Sequence, residues 1–203
     1  MAVALHSSGE STNVTTLDLS SVPTSAFILI AYADDAVAEN ISTTMGAPWD
    51  NIHFWSSPRT TGLTGGFFAG TDPSWTGSLN VGWGAFTGVD TGTPWTSSDD
   101  LMAEETVNWP SHTADRVMTA NDWWVVTAHD HNGQGTNWST PPSGYTLIEG
   151  QDHANGSTHL SYKVGAGSAT ENPGTAMGNV SRCGIVTLAL YAAPVGNVTM
   201  VTV

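Results

Sequence analysis

The run His129-Asp130-His131 is the best candidate for a metal site in this sequence. Side chains two residues apart on a strand lie on one face, so both imidazoles could reach one ion. A zinc site needs at least three protein ligands, and spacing does not fix the third. Three further candidates follow along the chain: Asp152, His153 and His159. A polar strand end that enters the Asn132-Gly133 turn explains the run more simply, so we assign no metal ligand and expect no cofactor.

Acidic residues occur in three adjacent pairs: Asp34-Asp35, Asp99-Asp100 and Glu104-Glu105. A glycosidase needs two carboxylates that face each other across a sugar, whereas neighbours on a strand point apart. We therefore interpret these pairs as solvated charges. The sequence also lacks Gly-x-Ser-x-Gly, a phosphate-binding glycine loop followed by lysine, and His-Glu-x-x-His. We expect no catalytic residue and no enzymatic activity, with a glycan-degrading enzyme as the rival of that class.

Tryptophan is abundant, and six of the nine residues lie in segments rich in glycine, proline, serine, threonine and asparagine. These six are Trp49, Trp55, Trp75, Trp95, Trp109 and Trp138. Loop aromatics can stack on sugars, anchor loops or fill subunit interfaces. We favour loop packing or an interface over sugar binding, and we place Trp83, Trp123 and Trp124 in the core or at its edge.

The charge balance excludes several partners. The chain has 203 residues with 18 acids against 4 bases, a formal charge of −14. It cannot neutralise a row of phosphates, and it should avoid an anionic membrane face, so we expect no nucleic acid and no membrane partner. The longest apolar run, Ala26–Ala33, is too short to span a bilayer, and no secretory signal is visible at the start. Cys183 is the only cysteine, so no intrachain disulfide can form. We interpret it as a small buried apolar residue.

Strand patterns dominate the sequence. Residues 78–86 and 157–164 alternate between apolar and polar side chains, which predicts half-buried antiparallel strands. Other segments are apolar on both faces or carry a strand pattern: 26–33, 123–128, 184–193 and 197–203. Turn signals such as Asn155-Gly156 separate them. We predict an all-β fold, an antiparallel two-sheet sandwich of jelly-roll-like type, with a closed barrel as the lesser alternative.

The domain organisation is simple. No charge block or Ser/Gly linker divides residues 13–203, which we predict to be a single β-sandwich domain. We interpret residues 1–12 as a flexible polar N-terminal arm. The only plausible helix covers residues 97–105, within a stretch from 87 to 116 that has few strand signals and could cross the surface. An apolar strand followed by a tryptophan-containing stretch occurs at 26–33 and again at 123–128, an echo too loose to define a repeat.

Short motifs follow one another over the second half of the chain, from Thr113 to about Ala193. They are Asn121-Asp122 before an apolar strand, Pro141-Pro142-Ser143-Gly144-Tyr145-Thr146-Leu147-Ile148, Leu160-Ser161-Tyr162-Lys163-Val164, Glu171-Asn172-Pro173-Gly174 and the strand 185–193. In these motifs the chain resembles a β-sandwich module common among structural proteins of tailed bacteriophages. Residues 77–81 and 88–94 are similar more loosely.

The resemblance implies a virion protein without catalytic residues. Its most specific implication is a capsid decoration (cement) protein that binds the outer surface of a phage head and stabilises it. The expected partners are the major capsid protein or other virion proteins, together with further copies of this chain as a homo-oligomer, for which a trimer is one candidate. The alternative is a carbohydrate- or receptor-binding module of a tail or fibre that uses the loop tryptophans.

Overall fold

The protein is built from two antiparallel five-stranded sheets that pack face to face. The structure, a computed structural model, describes residues 1–34, 41–56, 60–130, 138–153 and 156–194. This architecture confirms the predicted all-β, antiparallel two-sheet sandwich. In the described part of the chain, no helix has the length and apolar character needed to cross a membrane.

The first sheet comes entirely from the first half of the chain. Its strands are β1 (Ala4–Thr16), β2 (Phe27–Asp34), β3 (Asp50–Ser56), β4 (Thr60–Phe67) and β5 (Ser74–Thr87). They lie in the order β1-β5-β2-β4-β3, with every pairing antiparallel. A single turn of helix, α1 (Ile41–Met45), precedes β3.

The second sheet comes from the second half. Its strands are β6 (Trp95–Asn108), β8 (Trp123–Asp130), β9 (Thr146–Gln151), β10 (Ser157–Val164) and β12 (Thr175–Leu190). They lie in the order β6-β12-β8-β10-β9. Two short strands, β7 (His112–Thr113) and β11 (Thr170–Glu171), pair with each other beside this sheet.

The two sheets have the same internal order. Replacing β1, β2, β3, β4 and β5 by β6, β8, β9, β10 and β12 converts one order into the other. The registers agree as well, since Phe27 at the start of β2 lies opposite Phe67, and Trp123 at the start of β8 lies opposite Val164. The echo in the sequence therefore reflects a repeated strand order. Each half completes its own sheet, whereas the chain of a jelly roll passes back and forth between sheets.

Apolar side chains form three buried layers. The layer between the sheets includes Phe27, Leu29 and Phe86 from one sheet and Val125 and Leu188 from the other. A second layer covers the outer face of the first sheet, and a third covers the outer face of the second. As predicted, β2 and β8 are central strands that are buried on both faces.

Strand β10 is more deeply buried than its alternation predicts. Its residues from Ser157 to Ser161 are all buried, although only alternate ones face the first sheet. The outer face is covered by the segment at Trp138, whose carbonyl lies 2.6 Å from Nδ1 of His159. Polar side chains on this face are consequently interior groups with partners in the fold.

The helix predicted for residues 97–105 is wrong, because this segment is part of strand β6. It pairs with β12 in regular register from Leu190–Trp95 to Gly184–Leu101. A continuous ladder of backbone hydrogen bonds outweighs the small favourable effect of acids near a helix start. Much of the stretch from 87 to 116 is therefore strand and not a surface excursion.

Residues 1–12 differ from the predicted arm. Most of them belong to β1, which pairs with β5 from Ala4–Thr87 onward and continues past the expected boundary to Thr16. Every second side chain near the start of β1 is half-buried, as the alternation of a sheet edge requires. The sequence is polar because one face of this edge strand is exposed. The strand predicted at 197–203 lies outside the described residues.

Candidate functional site

The first candidate group lies between the sheets, where His129 of β8 meets His53 of β3. Nδ1 of His53 and Nε2 of His129 are 3.3 Å apart, and the ring centroids are separated by 5.0 Å. Both residues are buried. The pair fits because residue 184 is glycine: a Cβ there would overlap both imidazole rings.

Burial determines the chemical state of this pair. Desolvation, followed by the proximity of His53, holds the pKa of His129 well below its ordinary value. His129 is therefore neutral at pH 7 and links the two sheets as a hydrogen-bonding group. Across the described ranges, no group of three or more His, Cys, Asp or Glu side chains is placed to hold a metal ion. His131 lies outside the described residues.

The other proposed ligands do not converge on His129. His159 lies on the opposite face of the second sheet, where its Nε2 is 3.0 Å from the Ser161 hydroxyl, and burial lowers its pKa to about 4. The Ser157 hydroxyl donates to Asp152 at 3.3 Å. The ring of His153 lies 3.4 Å from the side-chain amide of Asn80 in the first sheet. These histidines thus contact separate parts of the fold.

A second polar group lies at the opposite edge of the sandwich and was missed by sequence reasoning. Glu149 of β9 is 6% exposed and reaches across to β5, where a Cβ at position 82 would overlap its carboxylate. The Thr158 hydroxyl donates to Glu149 at 3.2 Å. Burial, together with the nearby carboxylate of Glu10, raises the pKa of Glu149 to about 9, so it is protonated at pH 7.

The Glu10 and Glu149 pair does not form a glycosidase site. Such a site needs an open gap of several ångströms between its carboxylates, so that a sugar and water can enter. Glu149 is instead packed against Gly82 and bonded to Thr158. Its environment stabilises an interior carboxylic acid between two sheets.

A repeated irregularity explains why His53 and Glu149 were missed. Opposite Leu63, β3 contains a bulge at Ile52, and opposite Leu160, β9 contains a bulge at Ile148. A bulge breaks the alternation of side chains, so the polar residue that follows each isoleucine also faces the interior. The recurrence of Ile-polar in the two edge strands is the signal that could have found them.

The predicted acidic pairs are separated in the fold. Asp34 ends β2, and Asp35 lies outside the described residues. Asp99-Asp100 and Glu104-Glu105 lie along β6, an edge strand of the second sheet. Their side chains lie outside the described part of the structure. The backbone places these pairs at one sheet edge and not across a cleft from each other.

Three of the six tryptophans predicted to lie in loops pack into the interior. Trp75, Trp109 and Trp138 are each no more than 6% exposed, and the indole N–H of Trp75 donates to the Val14 carbonyl at 3.0 Å. This burial agrees with loop packing for Trp109 and Trp138. The assignment to loops is wrong for three others, because the backbone at Trp55, Trp75 and Trp95 belongs to strands β3, β5 and β6. Trp49, Trp83 and Trp95 are half-buried, and the side chain of Trp55 lies outside the described residues. In the core, Trp123 stacks on Tyr162 at 4.0 Å.

Asp122, the second residue of the Asn121-Asp122 motif, joins the segment before β8 to the segment after β12. Its carboxylate accepts the backbone N–H of Ala192 and of Thr119, each at 2.8 Å, and pairs with Arg116 at 2.8 Å. Burial raises the pKa of Asp122, but these hydrogen bonds outweigh burial and hold the pKa below its ordinary value.

Cys183 is fully buried, as predicted, and burial raises the pKa of its thiol.

Comparison with known protein families, curated proteins and solved structures finds no match for this chain.

Proposed function

We propose that the protein is a non-enzymatic structural protein of a virus particle, and more specifically a decoration protein on the outer surface of a tailed-phage head. The observation that carries the proposal is that the side chains able to do chemistry are bonded within the fold. His129, His159, Asp122 and Glu149 are buried, and each is engaged by another part of the same fold. This is the arrangement of a scaffold, whose polar groups stabilise architecture.

The motifs that resemble the phage module support the same proposal. Lys163, from the Leu-x-Tyr-Lys pattern, donates to Glu171 at 2.8 Å and lies 5.7 Å above the ring of Tyr145. Glu171 begins the motif Glu171-Asn172-Pro173-Gly174, and Tyr145 belongs to the motif that starts at Pro141. The residues of the resemblance thus contact one another around the second sheet, as residues that define a packing module should.

The charge of the chain fits attachment to a large assembly. A net charge of −14 keeps many copies apart in solution before they bind. Attachment then depends on apolar and backbone contacts or on a basic partner surface. A protein that bridges neighbouring capsid subunits, alone or as a homo-oligomer, favours the assembled shell by mass action.

The test is the location and copy number of the protein in purified particles. Particles from a host that carries the coding sequence would be analysed by quantitative mass spectrometry, with the major capsid protein as the internal standard. We expect a copy number comparable to that of the major capsid protein, and loss of the protein should lower the temperature at which heads release DNA. Absence from particles would overturn the proposal, and a handful of copies would favour the tail or fibre alternative.

A further inference from the structure

An open cleft of about 310 Å³ lies on the outer side of the first sheet. It is bounded by the end of α1 with the turn that follows it, and by the connection between β4 and β5. The residues that line it are Met45, Ala47, Pro48, Trp49, Ala69, Thr71, Asp72, Pro73 and Ser74. The cleft uses none of the buried polar groups described above, so it is a separate feature of the molecule.

Both walls of the cleft are held by backbone contacts. On one side, the N–H of Trp49 donates to the Gly46 carbonyl at 3.0 Å, and a Cβ on Gly66 would collide with the Pro48 carbonyl and the backbone of Trp49. On the other side, the carboxylate of Asp72 accepts the N–H of Leu19 at 2.8 Å. The cleft is therefore formed before any ligand arrives.

The lining of the cleft has an apolar side and a polar side. Trp49 is half-buried against the outer core of the first sheet and presents an aromatic surface next to Met45. Across from it, Thr71, Asp72 and Ser74 are exposed and supply hydroxyl and carboxylate oxygens. An aromatic ring beside several hydrogen-bonding oxygens matches a ligand with a hydrocarbon face and a polar rim.

From this division we propose that the cleft binds a neutral saccharide of one or two sugar units. The volume lies at the small end of ligand pockets, which span about 300–1,000 Å³. The hydrocarbon face of a pyranose would lie on Trp49 while its hydroxyls bond to Asp72 and Ser74. Asp72 and the charge of −14 disfavour acidic sugars. The site does not depend on where the protein lies in a particle.

Saturation-transfer NMR on the whole chain tests the proposal with a panel of glucose, galactose, N-acetylglucosamine, maltose and lactose. We expect at least one panel member to bind the wild-type protein. Asp72→Asn keeps the oxygen that accepts from Leu19 but removes the charge, and it should weaken binding several-fold. Trp49→Ala removes the stacking surface and should weaken binding by about tenfold or more.

Two further variants keep the proposal falsifiable if Trp49→Ala does not fold. Ala69→Trp fills the cleft from an exposed position and should abolish binding. Asp90→Asn is the matched control, since Asp90 also accepts one backbone N–H, that of Gly92 at 2.9 Å, but lies outside the cleft. The proposal is overturned if no panel sugar binds the wild type, or if Asp72→Asn and Ala69→Trp bind as well as Asp90→Asn. Neither result would bear on the copy number that tests the proposed function.

Discussion

Gly184 makes room for the contact that joins the two sheets through His53 and His129. The residue lies on β12 directly opposite His129 of β8, and both imidazole rings occupy the space that a Cβ would take. Because protein interiors are close-packed, even one added methyl group must displace a ring or the backbone. The position therefore requires glycine for reasons of space between the sheets.

We expect Gly184→Ala to lower the free energy of unfolding by about 2 kcal/mol, the typical cost of overpacking a core. Urea denaturation followed by tryptophan fluorescence measures this change. Gly92→Ala is the control, because a Cβ there would meet only the Asp90 carboxylate, at 3.5 Å. The control should lie within about 0.5 kcal/mol of the wild type. Equal stability of the two variants would show that the histidine rings do not press on residue 184.

Among the strands, β1 differs most from its prediction, because a flexible arm was expected over residues 1–12. It pairs with β5 over most of its length, and the backbone N–H of Val3 donates to the Asn121 carbonyl at 2.9 Å. That hydrogen bond ties the chain start to the loop before β8 in the second sheet. Ser8 also donates to the Ile148 carbonyl of β9, at 3.4 Å. The strand thus holds one edge of the sandwich closed.

Deletion of residues 1–12 should therefore destabilise the whole protein. It exposes most of one edge of β5 and removes the cover of Leu5 and Val3 from the layer between the sheets. We expect a fall in melting temperature of about 10 °C or more, from a loss of several kcal/mol. Thermal unfolding followed by circular dichroism measures it. An unchanged melting temperature would restore the interpretation of these residues as an arm.

The strands that the sequence predicts well are those whose own residues determine their burial. Residues 26–33 and 123–128 are apolar on both faces, and they form the central strands β2 and β8. The pattern fails for β1 and β6 because edge strands gain much of their stability from a backbone ladder that any side chain permits. Predicting these strands requires knowledge of β5 and β12, their partners far along the chain.

The candidate polar groups were only partly predictable for a related reason. His129 was identified from its residue type, but its partner His53 lies 76 positions away and faces it only because the sheets stack. Glu10 and Glu149 meet in the same manner at the other edge. In addition, the bulges at Ile52 and Ile148 break the alternation on which a sequence pattern depends.

At the scale of the whole molecule, the two halves place different polar groups at equivalent positions. His53 lies opposite Leu63 in β4, and Glu149 lies opposite Leu160 in β10, the corresponding strands of the two sheets. Each polar group reaches from an edge strand toward the opposite sheet. The repeated architecture therefore carries a buried histidine on one side and a buried carboxyl on the other.

The histidines make the protein sensitive to acid. Burial holds the pKa of His129 well below 6.5 and lowers the pKa of His159 to about 4. A lowered histidine pKa means that the unfolded chain binds the proton more tightly, so stability falls as the pH drops below about 6.5. Glu149 acts in the other direction: its pKa is raised from 4.5 to about 9, so the folded chain binds the proton more tightly, and stability falls as the pH rises between those values.

These opposite dependences predict maximum stability near neutral pH, because His129, His159 and His112, whose pKa burial also lowers, outweigh one carboxyl as the pH falls. Melting temperatures across the range from about pH 4 to pH 9 measure the profile. Glu149→Gln keeps an acceptor for Thr158 without an ionisable group, and it should remove the alkaline decline, with a gain of about 3 kcal/mol at pH 7. Asp115→Asn, in an exposed loop, is the control and should leave that decline in place. A Glu149→Gln profile that falls with pH as steeply as the control would mean that Glu149 is ionised in the folded protein at neutral pH.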